Sequence, residues 1–376
     1  MAKNPALPLF MRSLGVSQAT IGFIAAASTV VGVVVSLPAG ILSDLYGRRR
    51  VLLASAFVFA SAPFLYLFVH SPWQLVVVRI YHGLATAILG PVALAAVADT
   101  FQARQGEKMA WYSSATMVGR FLAPTVGGLL IAASSAGAGS SQGFHLVYLG
   151  CGVAGLLTLA LAISLPLAQR SAASIATATW AEKWRLLRDE ASYAAGDRRL
   201  LMISLVQAAQ YFAFGFLEVY LPLRLVDAGL KSWQIGPLFT VQILLTALSK
   251  PIMGRLSDRF GRAAPITSGL VLGAIGVMSL SVTTNYALLL LSSALFGLGL
   301  AAVTAATAAM AADLARGSSR GAAMGILSSI MDVGQSTGPM AGGLLVSAFG
   351  YSAAFVGVAA FLGVTATALA VVVRGQ

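Results

Sequence analysis

Four charged residues fall inside long apolar segments of this 376-residue chain, where a charge is costly: Arg79, Arg120, Glu218 and Asp332. On insertion scales a charge at the centre of a membrane helix costs about 2.5 to 3.5 kcal/mol, so it usually faces a cavity or a partner. Arg79 and Glu218 lie at matching depths, and so do Arg120 and Asp332. We therefore predict two pairs of opposite charge. In each, protonation of the carboxylate frees the arginine and biases a two-state equilibrium; a static buried ion pair is the alternative.

The remaining reactive side chains give no indication of catalysis. The sequence has no nucleophile elbow, phosphate-binding loop or zinc motif, and its three histidines are far apart. Cys151 is the only cysteine and lies in an apolar segment, which excludes a disulfide framework and a cysteine metal cluster. We predict a protein that is not an enzyme and uses no metal or cofactor.

The segments that carry these charges have the length and composition of membrane helices. The chain is 58% hydrophobic and 10% charged, whereas a soluble domain holds roughly a quarter charged residues. Apolar runs of about 20 residues, the length that crosses a bilayer, follow one another with short polar breaks. We predict an all-α membrane protein with eleven full spans, at residues 18–43, 50–69, 73–99, 108–133, 145–166, 199–224, 233–256, 265–283, 286–313, 321–348 and 352–373.

The chain is also duplicated. The segment from Gly40 to Arg48 returns from Gly254 to Arg262, and we call the shift from the first copy to the second the repeat offset. Because both copies must lie on the same side of the membrane, we predict two parallel six-helix repeats. The expected units are a first bundle (1–166), a central loop (167–198) and a second bundle (199–376).

The first helix is predicted to be incomplete. Pro8 is preceded by seven residues, whereas its counterpart Pro222 follows an almost complete helix. At about 1.5 Å per residue the first segment cannot cross a hydrocarbon core of about 30 Å. Either the chain starts at an internal methionine of a longer protein, or the short helix is genuine.

The basic residues behind the net charge of +12 indicate how the chain is oriented in the membrane. Lys and Arg are concentrated in alternate loops, including both motif copies and the central loop, which places these loops and the C-terminus in the cytoplasm. We predict a multi-pass protein of the plasma membrane, bacterial and monomeric, that does not bind nucleic acid.

Two further patterns concern helix faces. Small residues recur every fourth position in two segments that each contain a proline, which predicts close helix packing and kinks; the residues concerned are Gly119, Pro124 and Gly127, and Gly334, Gly338, Pro339 and Gly342. In the segment before Pro222, Gln207, Tyr211, Phe214 and Glu218 share one face. This polar and aromatic face predicts a cavity for amphiphilic or aromatic organic molecules, or hydrogen bonds between helices.

Three segments resemble motifs of the major facilitator superfamily. Residues 40–50 are similar to its cytoplasmic loop motif, residues 79–83 to its fourth-helix arginine motif, and residues 119–128 to a fifth-helix motif associated with antiporters. Ala123 departs from that last motif, which usually has glycine before the proline. The resemblance implies two six-helix bundles around a central cavity, and it adds His82 and Thr86 to the residues expected to line it.

The resemblance also implies a latch at each motif copy, in which an aspartate engages an arginine, an acidic residue at the end of the fourth helix and the positive end of a helix from the other half. The matching residues are Gly40, Asp44, Gly47, Arg48 and Asp99, and in the second copy Gly254, Asp258, Gly261, Arg262 and Asp313. The function it implies is proton-coupled export of a small organic molecule by alternating access. An uptake permease or uniporter is the alternative within this class, and a non-transporting membrane sensor or inactive truncated product is the alternative outside it.

Overall fold

The computed structural model describes residues 3–100, 105–133, 141–164, 185, 196–314 and 320–374. Most of the predicted central loop lies outside these residues, and so do the side chains of Asp44 and Asp99. The described residues form helices and short turns, with no strand among them. The helices are α1 (Lys3–Ser13), α2 (Gln18–Tyr46), α3 (Arg48–Leu65), α4 (Pro72–Thr100), α5 (Gln105–Ala133), α6 (Ser141–Ser164), α7 (Arg198–Asp227), α8 (Ser232–Phe260), α9 (Ala263–Val282), α10 (Tyr286–Leu314) and α11 (Arg320–Arg374).

Helix α11 consists of two arms. Gly350 has a φ of 77° and interrupts the helical backbone between residues 320–349 (α11a) and 351–374 (α11b). In the described residues, ten helical stretches are long and apolar enough to cross a membrane, and the last of them contains both arms. The predicted all-α membrane fold is therefore confirmed.

The duplication is visible in the backbone. Helices α2 and α8 begin and end at positions related by the repeat offset, and the same holds for α4 and α10. Gly47 and Gly261, which are related in the same way, have φ values of 88° and 83°. Glycine adopts this left-handed region without steric cost, so the chain can turn sharply from one helix into the next at both motif copies.

Helix α1 is much shorter than its counterpart. It has 11 residues where α7 has 30, and at 1.5 Å per residue it is about 16 Å long. Leu7, Phe10 and Met11 are nevertheless buried. The short α1 thus packs as part of the bundle, in agreement with the predicted incomplete first helix.

The two halves of the chain, α1–α6 and α7–α11, meet at one end of the bundle. We call this the closed end, and the opposite end, which holds Gly47 and Gly261, the motif end. A Cβ atom added at Gly22 of α2 would overlap the carbonyl oxygen of Pro339 on α11a, and one at Gly236 of α8 would overlap that of Pro124 on α5. Close backbone contact of this kind needs glycine, and it seals the halves together at the closed end.

Candidate functional site

A cavity of about 460 Å³ lies between the halves. Its volume is within the range of small-molecule sites. Thr86, Pro91 and Arg120 line the cavity and are exposed, and they lie on the motif side of the contacts between the halves. Solvent therefore reaches the cavity from the motif end, while the closed end separates it from the other side.

All four charged residues singled out in the sequence line this one cavity. Matching depth alone gives no reason why the four should converge. The structure brings them together because α4 and α5 form one wall, and α7 and α11a form the other.

Arg79 of α4 is held by backbone carbonyls. Its Nε donates to the carbonyl of Ile24 at 3.2 Å, and its Nη2 donates to that of Ala25. Its side chain is 2% exposed. These two bonds go to α2 of the same half. Neither goes to the carboxylate of Glu218, which the matching depths predicted as the partner of Arg79.

The carboxylates occupy the opposite wall. Nε2 of Gln335 donates to Oε2 of Glu218 at 3.2 Å and so orients that side chain. Asp332 lies one helical turn before Gln335 and is partly exposed. This wall offers oxygens that can accept a proton or bind a cation.

Of the other residues predicted for the cavity, His82 and Thr86 line it. Gln207 is buried, and its Oε1 accepts a hydrogen bond from the hydroxyl of Thr307 on α10. Tyr211 and Phe214 pack edge to face, 5.9 Å apart, and neither belongs to the cavity lining. For Gln207 the geometry favours the interpretation as a hydrogen bond between helices.

Among the lining residues that the predictions missed are Tyr66, Tyr148 and Gln335. Tyr66 and Tyr148 stack in parallel, 4.5 Å apart, although they lie far apart in the sequence, and no sequence spacing indicates such a pair. Gln335 carries a signal, because its position three residues after Asp332 places it on the same helix face. A polar residue at this spacing from an intramembrane carboxylate could have been predicted.

The second glycine series lies against α7. A Cβ at Gly334 would overlap the backbone of Ala208, one at Gly338 that of Phe212, and one at Gly342 the ring of Phe216. In the first series, a Cβ at Gly119 would meet nothing within 4 Å. A Cβ at Gly128, the residue after Gly127, would overlap the carbonyl of Ser232. The glycines thus allow close approach both within and between the halves.

The second motif copy forms a charge cluster at the motif end. Arg262 pairs with Asp258, and its Nε donates to Oδ2 of Asp313 at 2.8 Å. The hydrogen bonds that it donates to Asp313 and Asp258 raise the pKa of Arg262 above its ordinary value. All three residues belong to the second half, so this cluster does not join the halves.

At the closed end, polar contacts do join the halves. Nη1 of Arg12 lies 2.5 Å from Oδ1 of Asp227. Nε2 of Gln18 donates to the hydroxyl of Tyr351 at 2.8 Å, and the hydroxyls of Thr125 and Thr240 are 2.7 Å apart. These contacts would have to break before the cavity could open to that side.

Comparisons with known proteins agree with this architecture. The family model described as Major Facilitator Superfamily matches residues 2–241 and, in a second match, 203–375. An uncharacterized MFS-type transporter of Methanocaldococcus jannaschii is 24% identical over 352 residues, which cover 92% of this chain and 87% of that relative. A multi-drug resistance efflux pump PmrA homolog of Lactococcus lactis is 22% identical over 368 residues, which cover 95% of this chain and 87% of that relative.

The fold is also that of solved structures. A bacterial homolog to the human lysosomal transporter Spinster, crystallised in an inward-facing and occupied conformation, superposes with a TM-score of 0.82. The match has 14% sequence identity and covers 99% of this chain and 92% of that one.

Proposed function

Because this chain belongs to the Major Facilitator Superfamily, whose members are membrane transporters, we propose that it exports a small organic molecule in exchange for protons. The observation that carries the proposal is a cavity lined by two arginines and two carboxylates, which lies between halves that are sealed at one end. A charge inside a membrane protein is costly and is retained for a function such as proton transfer.

The proposed cycle alternates between two states. In the present state the cavity is reached from the motif end, where the substrate enters. In the other state the contacts of the closed end have separated. The cluster of Arg262, Asp258 and Asp313, which lies within the second half in the present state, then engages a helix of the first half and holds the motif end closed. A proton bound by Glu218 or Asp332 removes a negative charge from the cavity and so shifts the balance between the states.

Export is supported by relatives named as efflux pumps, such as the PmrA homolog of Lactococcus lactis, and by the antiporter-like segment that contains Pro124. The positions of the basic residues support a motif end that faces the cytoplasm. We further propose that the chain works as a monomer in the plasma membrane, with units at residues 1–166 and 199–376 joined by a cytoplasmic loop at 167–198.

The test is transport by purified protein in proteoliposomes, with and without a proton gradient, screened against lipophilic cations, antibiotics and sugars. We expect the gradient to drive accumulation of the transported compound on the side from which protons leave. Transport at equal rates in both conditions would indicate a uniporter and contradict proton exchange.

The variants Glu218→Gln and Asp332→Asn identify the proton-binding group. At least one should keep exchange of substrate for substrate and lose the response to the gradient. If both respond as the wild type does, neither carboxylate couples transport to protons.

A further inference from the structure

The charges that line the cavity are segregated between its walls. In the lining, Arg79 and Arg120 belong to the first half, whereas Glu218 and Asp332 belong to the second. A molecule bound between the halves therefore meets positive charge on one side and carboxylates on the other.

The Arg79 wall contains two buried donors that lack an acceptor. Arg79 and Tyr148 are 2% and 3% exposed. Among the residues that the structure describes, none accepts a hydrogen bond from Nη1 of Arg79 or from the hydroxyl of Tyr148. Buried polar groups are nearly always hydrogen-bonded, so two such donors lining one cavity indicate a ligand that binds both.

Packing fixes the position of both donors. Two carbonyls of α2 hold the Arg79 guanidinium. Tyr148 is stacked on Tyr66 and contacts Phe10 edge to face, with ring centroids 4.5 and 5.5 Å apart. Tyr148 and Arg79 line the same cavity. A fixed guanidinium N–H and a fixed hydroxyl match the oxygens of a carboxylate, and charge-assisted bonds of this kind are the stronger ones.

The opposite wall suits a cation. Glu218 is oriented by Gln335 at 3.2 Å, and Asp332 lies on the same helix as Gln335. An ammonium group placed here would meet two carboxylates, and the apolar lining, which includes Phe59 and Val219, would contact the rest of the molecule.

We propose that the substrate is a zwitterionic amphiphile that bridges the two walls. Its anionic group binds Nη1 of Arg79 and the hydroxyl of Tyr148, its cationic group binds Glu218 or Asp332, and an apolar or aromatic spacer connects them. The inference rests on the proposed function and deepens it, because the cationic group and the proton then compete for the same carboxylates, as exchange requires.

The test measures binding by isothermal titration calorimetry to the full chain in zwitterionic nanodiscs, with empty nanodiscs as the blank. Four compounds share one ring and differ in charge: 4-(aminomethyl)benzoate (zwitterion), 4-(aminomethyl)benzamide (cation), 4-methylbenzoate (anion) and 4-methylbenzamide (neutral). A second set with a biphenyl spacer covers a longer distance between the charges. In at least one set we expect the zwitterion to bind about tenfold or more tightly than either singly charged compound.

Variants assign each end of the ligand. Arg79→Gln should make the zwitterion bind no better than the cation, and the double variant Glu218→Gln with Asp332→Asn should make it bind no better than the anion. Tyr148→Phe should weaken binding of the two compounds that carry a carboxylate about three- to tenfold and leave binding of the two amide compounds unchanged. Its matched control is Tyr81→Phe, which removes a hydroxyl that bonds Ser61, 2.8 Å away and outside the cavity lining.

If Arg79→Gln does not fold, Arg79→Lys keeps the charge, loses the guanidinium geometry, and should show an intermediate preference. The ranking of the four compounds on the wild type needs no variant. If either singly charged compound binds as tightly as the zwitterion or more tightly in both sets, or if neither set binds, the inference is overturned. Gradient-driven transport of another compound would still uphold proton exchange, so the two proposals fail separately.

Discussion

The hydroxyl of Tyr220 on α7 donates to the backbone carbonyl of Gln18 on α2, 3.0 Å away, and so connects the two halves of the chain. The same hydroxyl also lies 3.1 Å from the carbonyl oxygen of Pro339 on α11a. Tyr220 is fully buried. One side chain thus ties together three helices at the closed end, at the position where Gly22 lets α2 approach α11a.

Replacing Tyr220 by phenylalanine should favour opening of the closed end. The hydroxyl has one proton, and of its two carbonyl neighbours only that of Gln18 belongs to the first half. The variant therefore loses one bond between the halves, worth about 0.5 to 1.5 kcal/mol, which corresponds to a population shift of roughly two- to tenfold. The reporter is Cys151, the only cysteine of the chain, which lines the cavity. A membrane-impermeant maleimide added to intact cells should modify Cys151 faster in Tyr220→Phe than in the wild type, and Tyr81→Phe should match the wild type. Equal rates in all three would mean that Tyr220 does not hold the closed end.

Replacing Gly22 by valine should prevent the closed end from forming. Any side chain at Gly22 collides with Pro339 and with Tyr220, so the halves must separate there. We expect rapid modification of Cys151 from outside, together with transport reduced at least about tenfold, because one state of the cycle is lost. The matched control is Gly357→Val, since a Cβ at Gly357 would meet nothing within 4 Å. Normal transport by Gly22→Val would contradict the close approach of α2 and α11a.

The ion pair between Arg12 and Asp227 should make a small and salt-dependent contribution. Both side chains are partly exposed, at 35% and 45%, and such pairs contribute about 0.2 to 1 kcal/mol. Arg12→Asp should increase labelling of Cys151 up to about fivefold at low salt, and adding Asp227→Arg should restore the wild-type rate. The difference should shrink above about 0.5 M salt. Failure of the double reversal to restore the rate would indicate that the pair does not act across the halves.

Replacing Arg262 should have the opposite effect on labelling of Cys151 to that of the closed-end variants. In the proposed cycle the cluster of Arg262 with Asp258 and Asp313 engages the first half only when the motif end is closed, so Arg262→Gln disfavours that state. These pairs are exposed enough that the effect is at most about 1 kcal/mol. Labelling of Cys151 from outside should therefore slow by up to about fivefold, whereas Arg255→Gln, at an exposed position of α8, should change little. Faster labelling in Arg262→Gln would contradict the proposed latch.

How far the sequence predicts this molecule depends on the kind of signal. The repeat offset and the apolar runs are long-range patterns, so the helices and their duplication follow from them directly. The four intramembrane charges were also found from sequence, because a charge in an apolar run is conspicuous. What depth could not determine is the partner of each charge, since Arg79 turns towards the carbonyls of Ile24 and Ala25.

The face of α7 shows the limit of periodicity. Gln207 and Phe214 share a face with Glu218, but a long helix in a bundle contacts different neighbours along its length. Near Gln207 that neighbour is α10, and near Glu218 it is the cavity. The Tyr66 and Tyr148 pair has no local pattern at all, because its two rings meet only when the end of α3 and α6 pack together.

The most direct test of alternating access measures one distance at each end of the bundle. Spin labels at His70→Cys and Thr284→Cys report on the closed end, and labels at Arg50→Cys and Ala264→Cys report on the motif end, each in a Cys151→Ala background. All four positions are exposed, and the repeat offset relates the two members of each pair. Pulsed electron paramagnetic resonance measures the distance within each pair. Acidification, or Glu218→Gln with Asp332→Asn, should lengthen the distance at the closed end and shorten the distance at the motif end. Two distances that stay constant, or that lengthen together, would contradict a cavity that opens to one side at a time.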